Sequence, residues 1–210
     1  MVRILKKGAE ASIILGDWFG EDAIFKVREL KSYRQSNIDT KIRVLRTLHE
    51  ASFLTEAKKI GVITPLVYFV DRQKAEIVMQ FVNGLRLKDI VNASDTSISK
   101  WFEEVGRYVA RLHEANIIHG DITTSNFLIA EDKLSMIDFG LSFYSNKIED
   151  KAVDIHLLRT VLQSANTDLS SKLMDHVFRG YFELSNRNEV NDFLKRLKIV
   201  ERRGRYKFNE

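Results

Sequence analysis

The sequence predicts an α+β fold built as two small lobes. Residues 1–83 form a β-rich N-lobe with one main helix, and residues 84–210 a small α-helical C-lobe. Three observations carry this reading. Short apolar runs of β type crowd the first third of the chain around one long helical pattern. Helical periodicity dominates after Asn83-Gly84. The helical part is interrupted by "IIHGDITTSNFLI" (117–129), where two apolar runs flank a polar stretch with a carboxylate and an amide five positions apart.

The elements follow in order. Residues 3–5, 12–15 and 23–28 read as strands, broken at Gly8 and at the turn-rich "GDWFGED" (16–22). A helix comes next, with Asp39 as the expected N-cap and Gly61 and Pro65 as the stop. Its apolar stripe is expected on Ile42, Leu45, His49, Phe53 and Ile60. "LVYFVD" (66–71) and "AEIVMQFV" (75–82) are two further strands. Ser99 is expected to cap a helix whose stripe is Trp101, Phe102, Val105, Val109 and Leu112. The polar stretch, a turn at Glu131-Asp132 and "LSMIDFGLSF" (134–143) follow, and from about Asp150 the pattern is helical.

Composition narrows the class. With 44% hydrophobic and 30% charged residues in 210, the chain can bury a core and is not disordered. No apolar run approaches the roughly 20 residues that span a bilayer. "MVRILKKGAEAS" has too short an apolar segment for a signal peptide. Cysteine is absent, which excludes disulfides and zinc-thiolate sites. A cytoplasmic protein without a membrane partner is expected. The net charge of +4 is mild. Two local clusters, "KSYR" (31–34) and "ERRGRYK" (201–207), suit phosphates, nucleic acid or an acidic partner.

Chemistry enters with the order of the polar residues. Asp121, Asn126 and Asp138 are oxygen ligands brought near one another by a short hairpin, a set that hard cations such as Mg²⁺ take together with substrate phosphates. Before them stand a lysine in an apolar strand, Lys26 in "AIFKV", and a glutamate in the next helix, Glu50 or Glu56. Lysine, glutamate, H-x-D-x-x-x-x-N and D-F-G in this order are the protein-kinase arrangement. In it Lys26 binds ATP phosphates, Asp121 accepts a proton or orients a water, and Asn126 and Asp138 hold Mg²⁺. "MQF" (Met79, Gln80, Phe81), near the lobe boundary, would offer backbone groups to adenine.

The chain resembles the small atypical kinase/ATPase family of the KEOPS (EKC) complex, close to the RIO-type kinases. The residues that carry the resemblance are "HGDITTSN" (119–126), "IDFGLSF" (137–143), "EDKAVDI" (149–155), "KGAEA" (7–11), "EASFL" (50–54) and "RGR" (203–205). It implies a phosphate loop at Lys7, Gly8, Ala9 and Glu10, and it selects Glu50 as the partner of Lys26. It also implies an ATPase and serine/threonine kinase that binds the tRNA-modifying subunit and other members of KEOPS and supports threonylcarbamoyladenosine formation in tRNA. The basic tail, with Arg202, Arg203, Arg205 and Lys207, is expected as a loose chain end that helps to engage tRNA or that subunit.

The departures from an ordinary kinase point the same way. There is no G-x-G-x-x-G loop, His119-Gly120 stands for His-Arg, and only thirteen residues separate Gly140 from Asp154. A long activation segment has no room, so the surface that grips a peptide substrate is largely missing. The competing reading is a small-molecule kinase of the aminoglycoside or choline type, which shares "HGD" but carries a larger helical C-lobe.

Overall fold

The computed structural model describes residues 2–91, 98–165, 167–183, 185 and 187–206. The chain opens with β1 (Arg3–Lys7), β2 (Ala11–Trp18) and β3 (Glu21–Arg28), passes through α1 (Ser36–Lys59), and adds β4 (Val67–Asp71) and β5 (Glu76–Gln80). These strands form one antiparallel sheet in the order β1-β2-β3-β5-β4. The region expected as a long turn at 16–22 is mostly strand. Only Phe19 and Gly20, both at positive φ, make the bend between β2 and β3. A two-residue turn of that handedness matches the twist of the strands it joins.

Helix α1 differs from expectation at both its start and its buried face. It begins at Ser36, so Asp39 lies inside its first turn, where the carboxylate accepts from Arg43 Nε at 2.8 Å rather than capping. Its buried residues are Asp39, Thr47, Glu50, Ala51, Phe53, Leu54 and Ala57. Leu45 and His49 are exposed. The apolar-stripe argument assumes that the inward face is apolar, and here part of that face lines a polar cleft.

The second half runs through β6 (Leu85–Arg86), α2 (Leu87–Ile90), α3 (Ile98–Glu114), β7 (Ile117–Ile118), a 3₁₀ turn at Thr124–Asn126, β8 (Phe127–Ala130), β9 (Lys133–Met136) and β10 (Phe143–Tyr144). Three helices follow: α4 (Ile148–Ala165), α5 (Thr167–Tyr181) and α6 (Arg187–Tyr206). Strands β6, β8 and β9 form one small sheet, and β7 pairs with β10. The predicted stripe of α3 is buried from Trp101 to Leu112, but Ser99 lies within the helix and does not precede it as a cap. α3 and α5 approach closely because Gly106 and Gly180 face the opposing backbones; a Cβ at Gly106 would fall 2.1 Å from the carbonyl of Val177. The tail is helical as far as Tyr206, and Arg203 pairs with Glu149 at 2.5 Å, so it is not a loose end there; Lys207 lies outside the described residues.

Two bonds tie the segment after α1 to the second half of the chain. Met136 N–H donates to Ile63 O at 2.8 Å, and Arg111 donates to Gly61 O at 2.6 Å. Among the described residues, no helix is long and apolar enough to cross a membrane.

Candidate active site

Strand alternation places Lys26 and Arg28 on one face of β3, turned towards α1. Lys26 Nζ donates to Glu50 Oε1 at 2.5 Å and to Asp138 Oδ1 at 2.8 Å. Arg28 donates to the other oxygen, Glu50 Oε2, at 2.7 Å. Glu50 is thus held by two cations and is only 1% exposed. Glu56, the alternative partner, is turned outward and pairs with Lys59. Burial works against the charged Lys26 ammonium, but the carboxylates of Glu50 and Asp138 outweigh it and hold its pKa above the ordinary lysine value. Burial likewise opposes the Asp138 carboxylate, and Lys26 more than compensates, so its pKa lies below the usual aspartate value.

Asp138 sits just beyond β9 at φ +68°, a left-handed conformation that Asp and Asn tolerate better than most residues. Ile137 N–H donates to Asn126 O at 2.8 Å and brings the two segments together. Asn126 Nδ2 donates to the backbone oxygen of Asp121 at 2.9 Å and to its Oδ2 at 3.0 Å. That commits the amide nitrogen to Asp121, so Oδ1 of Asn126 is the atom a cation would take. Asp138 with Asn126 is an all-oxygen pair, and its chemistry fits Mg²⁺ held jointly with nucleotide phosphates.

A residue outside the predicted set organises the loop. Asp154 on α4 is 1% exposed, and its carboxylate accepts from the backbone N–H of His119 and of Gly120, each at 2.8 Å. His113 Nε2 lies 3.3 Å from the same carboxylate, and its Nδ1 is 2.7 Å from the Tyr181 hydroxyl. The sequence signal was there: a carboxylate in the row Ala152, Ile155, Leu158 and Leu162 is buried and needs partners. Gly120 adopts φ +78°, and a Cβ there would meet Leu141 O at 2.5 Å, so this position of the turn requires glycine.

These groups border a cleft of about 260 Å³. Lys26, Glu50, Asn126 and Asp138 form its polar end, and Met79, Gln80 and Phe81 lie along its wall. Asp121 is not part of the lining and stands beside it through Asn126. Lys7, Gly8, Ala9 and Glu10 do not line the cleft; Leu5 and Lys6 do. The physical reason is local. Gly8 N–H closes a tight turn on Ala11 O, and Glu10 is drawn to Arg46 at 2.9 Å and Arg28 at 3.6 Å. Sequence reasoning also missed the apolar walls Ile24, Leu128 and Ile137. Ile24 lies two residues from Lys26 in β3, so strand alternation could have found it; Leu128 and Ile137 neighbour site residues that lie outside strands, where alternation gives no signal. Arg86 and Ser125 carried no such signal for the cleft lining.

The protein kinase domain family matches residues 7–180 of this chain. A protein from Pyrococcus abyssi named KEOPS complex subunit Bud32 is 37% identical over 213 residues, covering 98% of this chain and 97% of that protein. The chain belongs to the protein kinase family, in its KEOPS-subunit branch. A probable bifunctional tRNA threonylcarbamoyladenosine biosynthesis protein from Methanobrevibacter smithii is 41% identical over 203 residues. One of the same name from Methanosphaera stadtmanae is 39% identical. This KEOPS-type kinase chain spans only 36% of the length of those two bifunctional relatives. Among solved structures, the Rio2 kinase–ADP/Mg²⁺–phosphoaspartate complex from Chaetomium thermophilum superposes with a TM-score of 0.66 over 98% of this chain and 70% of that one, at 18% identity. That likeness shows the fold: a β-sheet region followed by helices.

Proposed function

We propose that this chain is a cytoplasmic, ATP- and Mg²⁺-dependent ATPase and atypical serine/threonine kinase that acts within KEOPS to support threonylcarbamoyladenosine modification of tRNA. The observation that carries the reading is the placement of Lys26 Nζ between Glu50 and Asp138, in the cleft that Asn126 also lines. Phosphoryl transfer asks a protein for positioned charge and little covalent work. Lys26 supplies a fixed cation for phosphate oxygens, and Glu50, locked by Arg28, keeps it in place. Asp138 and Asn126 Oδ1 would hold Mg²⁺, which neutralises charge on the phosphates when bound. Asp121, oriented by Asn126 Nδ2, accepts the proton of the attacking hydroxyl or water. The strand end Met79–Phe81 supplies backbone groups for adenine, with the two lobes divided at Asn83-Gly84. Lys6 lines the cleft and would add a cation for the phosphates, while the turn at 7–10 lies outside its lining.

The identity to a protein named as a KEOPS subunit, over nearly the whole length of both chains, favours this reading over a small-molecule kinase. The partners would be the threonylcarbamoyl-transferring subunit and other KEOPS members, with tRNA reached through the complex. The test is reconstitution: this chain with the other KEOPS subunits, tRNA and ATP, comparing the parent with Asp121→Asn. The parent should support modification and turn over ATP, and the variant should do neither. Equal modification by both would refute the reading.

A further inference from the structure

A second cavity, of about 170 Å³, lies between the β1–β2 turn, the segment after β3 and the first half of α1. It shares no lining residue with the nucleotide cleft. Five cations face it: Arg28, Lys31, Arg34, Arg43 and Arg46. The carboxylates on its wall are Glu10 and Glu29, and Glu29 is already taken by the Ser12 hydroxyl at 2.6 Å. Asp39, buried beside the wall, holds Arg43 at 2.8 Å and Arg34 at 3.5 Å. Even with all three carboxylates counted, positive charge is in excess. Four of the five cations are guanidiniums, the fork that binds phosphate oxygens in pairs. Glu10, more than half exposed, lies across Arg46 and Arg28 as a carboxylate from within the chain.

We propose that this cavity is a second anion site that binds a phosphate monoester dianion, and that its occupancy is relayed to Lys26 through Arg28 and Glu50. A terminal phosphate offers three free oxygens and up to two charges to cations converging from a turn and a helix. A backbone diester offers fewer oxygens and one charge. The ligand displaces Glu10 from Arg46 and Arg28. Arg28 NH1 faces Glu10 while NH2 holds Glu50 Oε2, so a stronger anion on Arg28 loosens its grip on Glu50. Glu50 in turn is bonded to Lys26. The binding site stands independently of the nucleotide reading, whereas the relay rests on it.

The test is calorimetric titration of the full chain with inorganic phosphate, with a phosphoserine peptide and with an RNA oligonucleotide lacking terminal phosphates. Each is run with and without a non-hydrolysable ATP analogue and Mg²⁺, which occupy the first cleft. Replacing Arg34 and Arg46 together by Gln should weaken phosphate binding at least about tenfold, since each charge-assisted bond is worth that much or more. Glu10→Gln should tighten it, because a competing carboxylate is removed; a merely structural Glu10 would not give that sign. Phosphate should also change the affinity for the ATP analogue by about fivefold in the parent and not in the Arg34→Gln/Arg46→Gln variant. Tighter binding of the peptide than of free phosphate identifies a phosphorylated side chain as the source, and equal binding identifies free phosphate. Phosphate affinity indifferent to Arg34 and Arg46, weaker binding in Glu10→Gln, or binding of the RNA alone would overturn the proposal. If the ATP analogue fails to bind, the nucleotide reading falls, and the phosphate titrations of the parent and its variants still decide this one.

Discussion

Lys26 and Asp138, 112 residues apart in sequence, meet at 2.8 Å between Nζ and Oδ1. One ammonium thereby joins strand β3, helix α1 through Glu50, and the segment beyond β9. The contact spans the sheet and the helical part, so a change at either end is expected to be read at the other.

The first prediction uses that contact. Asp138→Asn keeps a side chain that tolerates φ +68° and removes only the charge. ATP turnover should fall by about a hundredfold or more, in line with losing one group that stabilises developing phosphate charge. The melting temperature should change little. Turnover equal to the parent at saturating Mg²⁺ would remove Asp138 from the site.

Lys26 and Glu50 should act as a unit. Both Glu50→Gln and Glu50→Ala remove the carboxylate, but Gln is preferable because it keeps the side-chain volume and one oxygen acceptor between Lys26 and Arg28. In a double-mutant cycle of Lys26→Met and Glu50→Gln read by kcat/KM, the two losses should overlap, with a coupling of about 1–3 kcal/mol. Additive losses would mean that Glu50 does not serve Lys26.

Asp154 lies outside the cleft lining and should still matter to both stability and rate. Asp154→Ala strands two backbone N–H groups, of His119 and Gly120, that have lost their acceptor. At about 1–3 kcal/mol for each unsatisfied group, the loss is roughly 3 kcal/mol, or about 6–12 °C in Tm for a chain of this size. Turnover should fall too, because Asp121 follows Gly120 directly. Thermal melts and ATP turnover of Asp154→Ala and Asp154→Asn check this, and a neutral Ala variant would contradict it.

Burial holds the imidazoles of His113 and His119 below the ordinary histidine pKa. Asp121 N–H donates to His119 Nδ1 at 3.3 Å, which matches a neutral ring. The unfolded chain takes up protons near pH 6.5 that the folded chain does not. Stability is therefore full above about pH 6.5 and falls as the pH drops below it, by at most about 1.4 kcal/mol per pH unit for each histidine. Denaturant melts at pH 7.5, 6.5 and 5.5 should show the decline, and His119→Asn should flatten it. An unchanged slope in both His119→Asn and His113→Gln would show that other groups control it.

Much of the site was legible because its parts are local in the chain. H-x-D-x-x-x-x-N occupies one turn between β7 and β8, and Asp138 lies one short hairpin further on, so spacing alone placed Asp121, Asn126 and Asp138 near one another. Lys26 was legible as a charge inside an apolar strand. The order of a β-sheet region followed by helices was legible in the change of period along the chain.

Tertiary structure decided what periodicity could not. Of the stripe expected on helix α1, Phe53 is buried and Leu45 and His49 are exposed, and a stripe drawn through apolar residues misses the buried polar Thr47 and Glu50. Glu50 rather than Glu56 meets Lys26 because two cations from β3 neutralise it where it is buried, and those cations are 22 and 24 residues distant in sequence. Glu10 was drawn to Arg28 and Arg46, away from the cleft lining, by charges that no local motif announces. Asp154 became the anchor of the His119-Gly120 turn across 34 and 35 residues. Local spacing determines which chemistry the chain can assemble. Which charged groups are buried together depends on long-range partners that offset their desolvation, and only the folded chain brings those within reach.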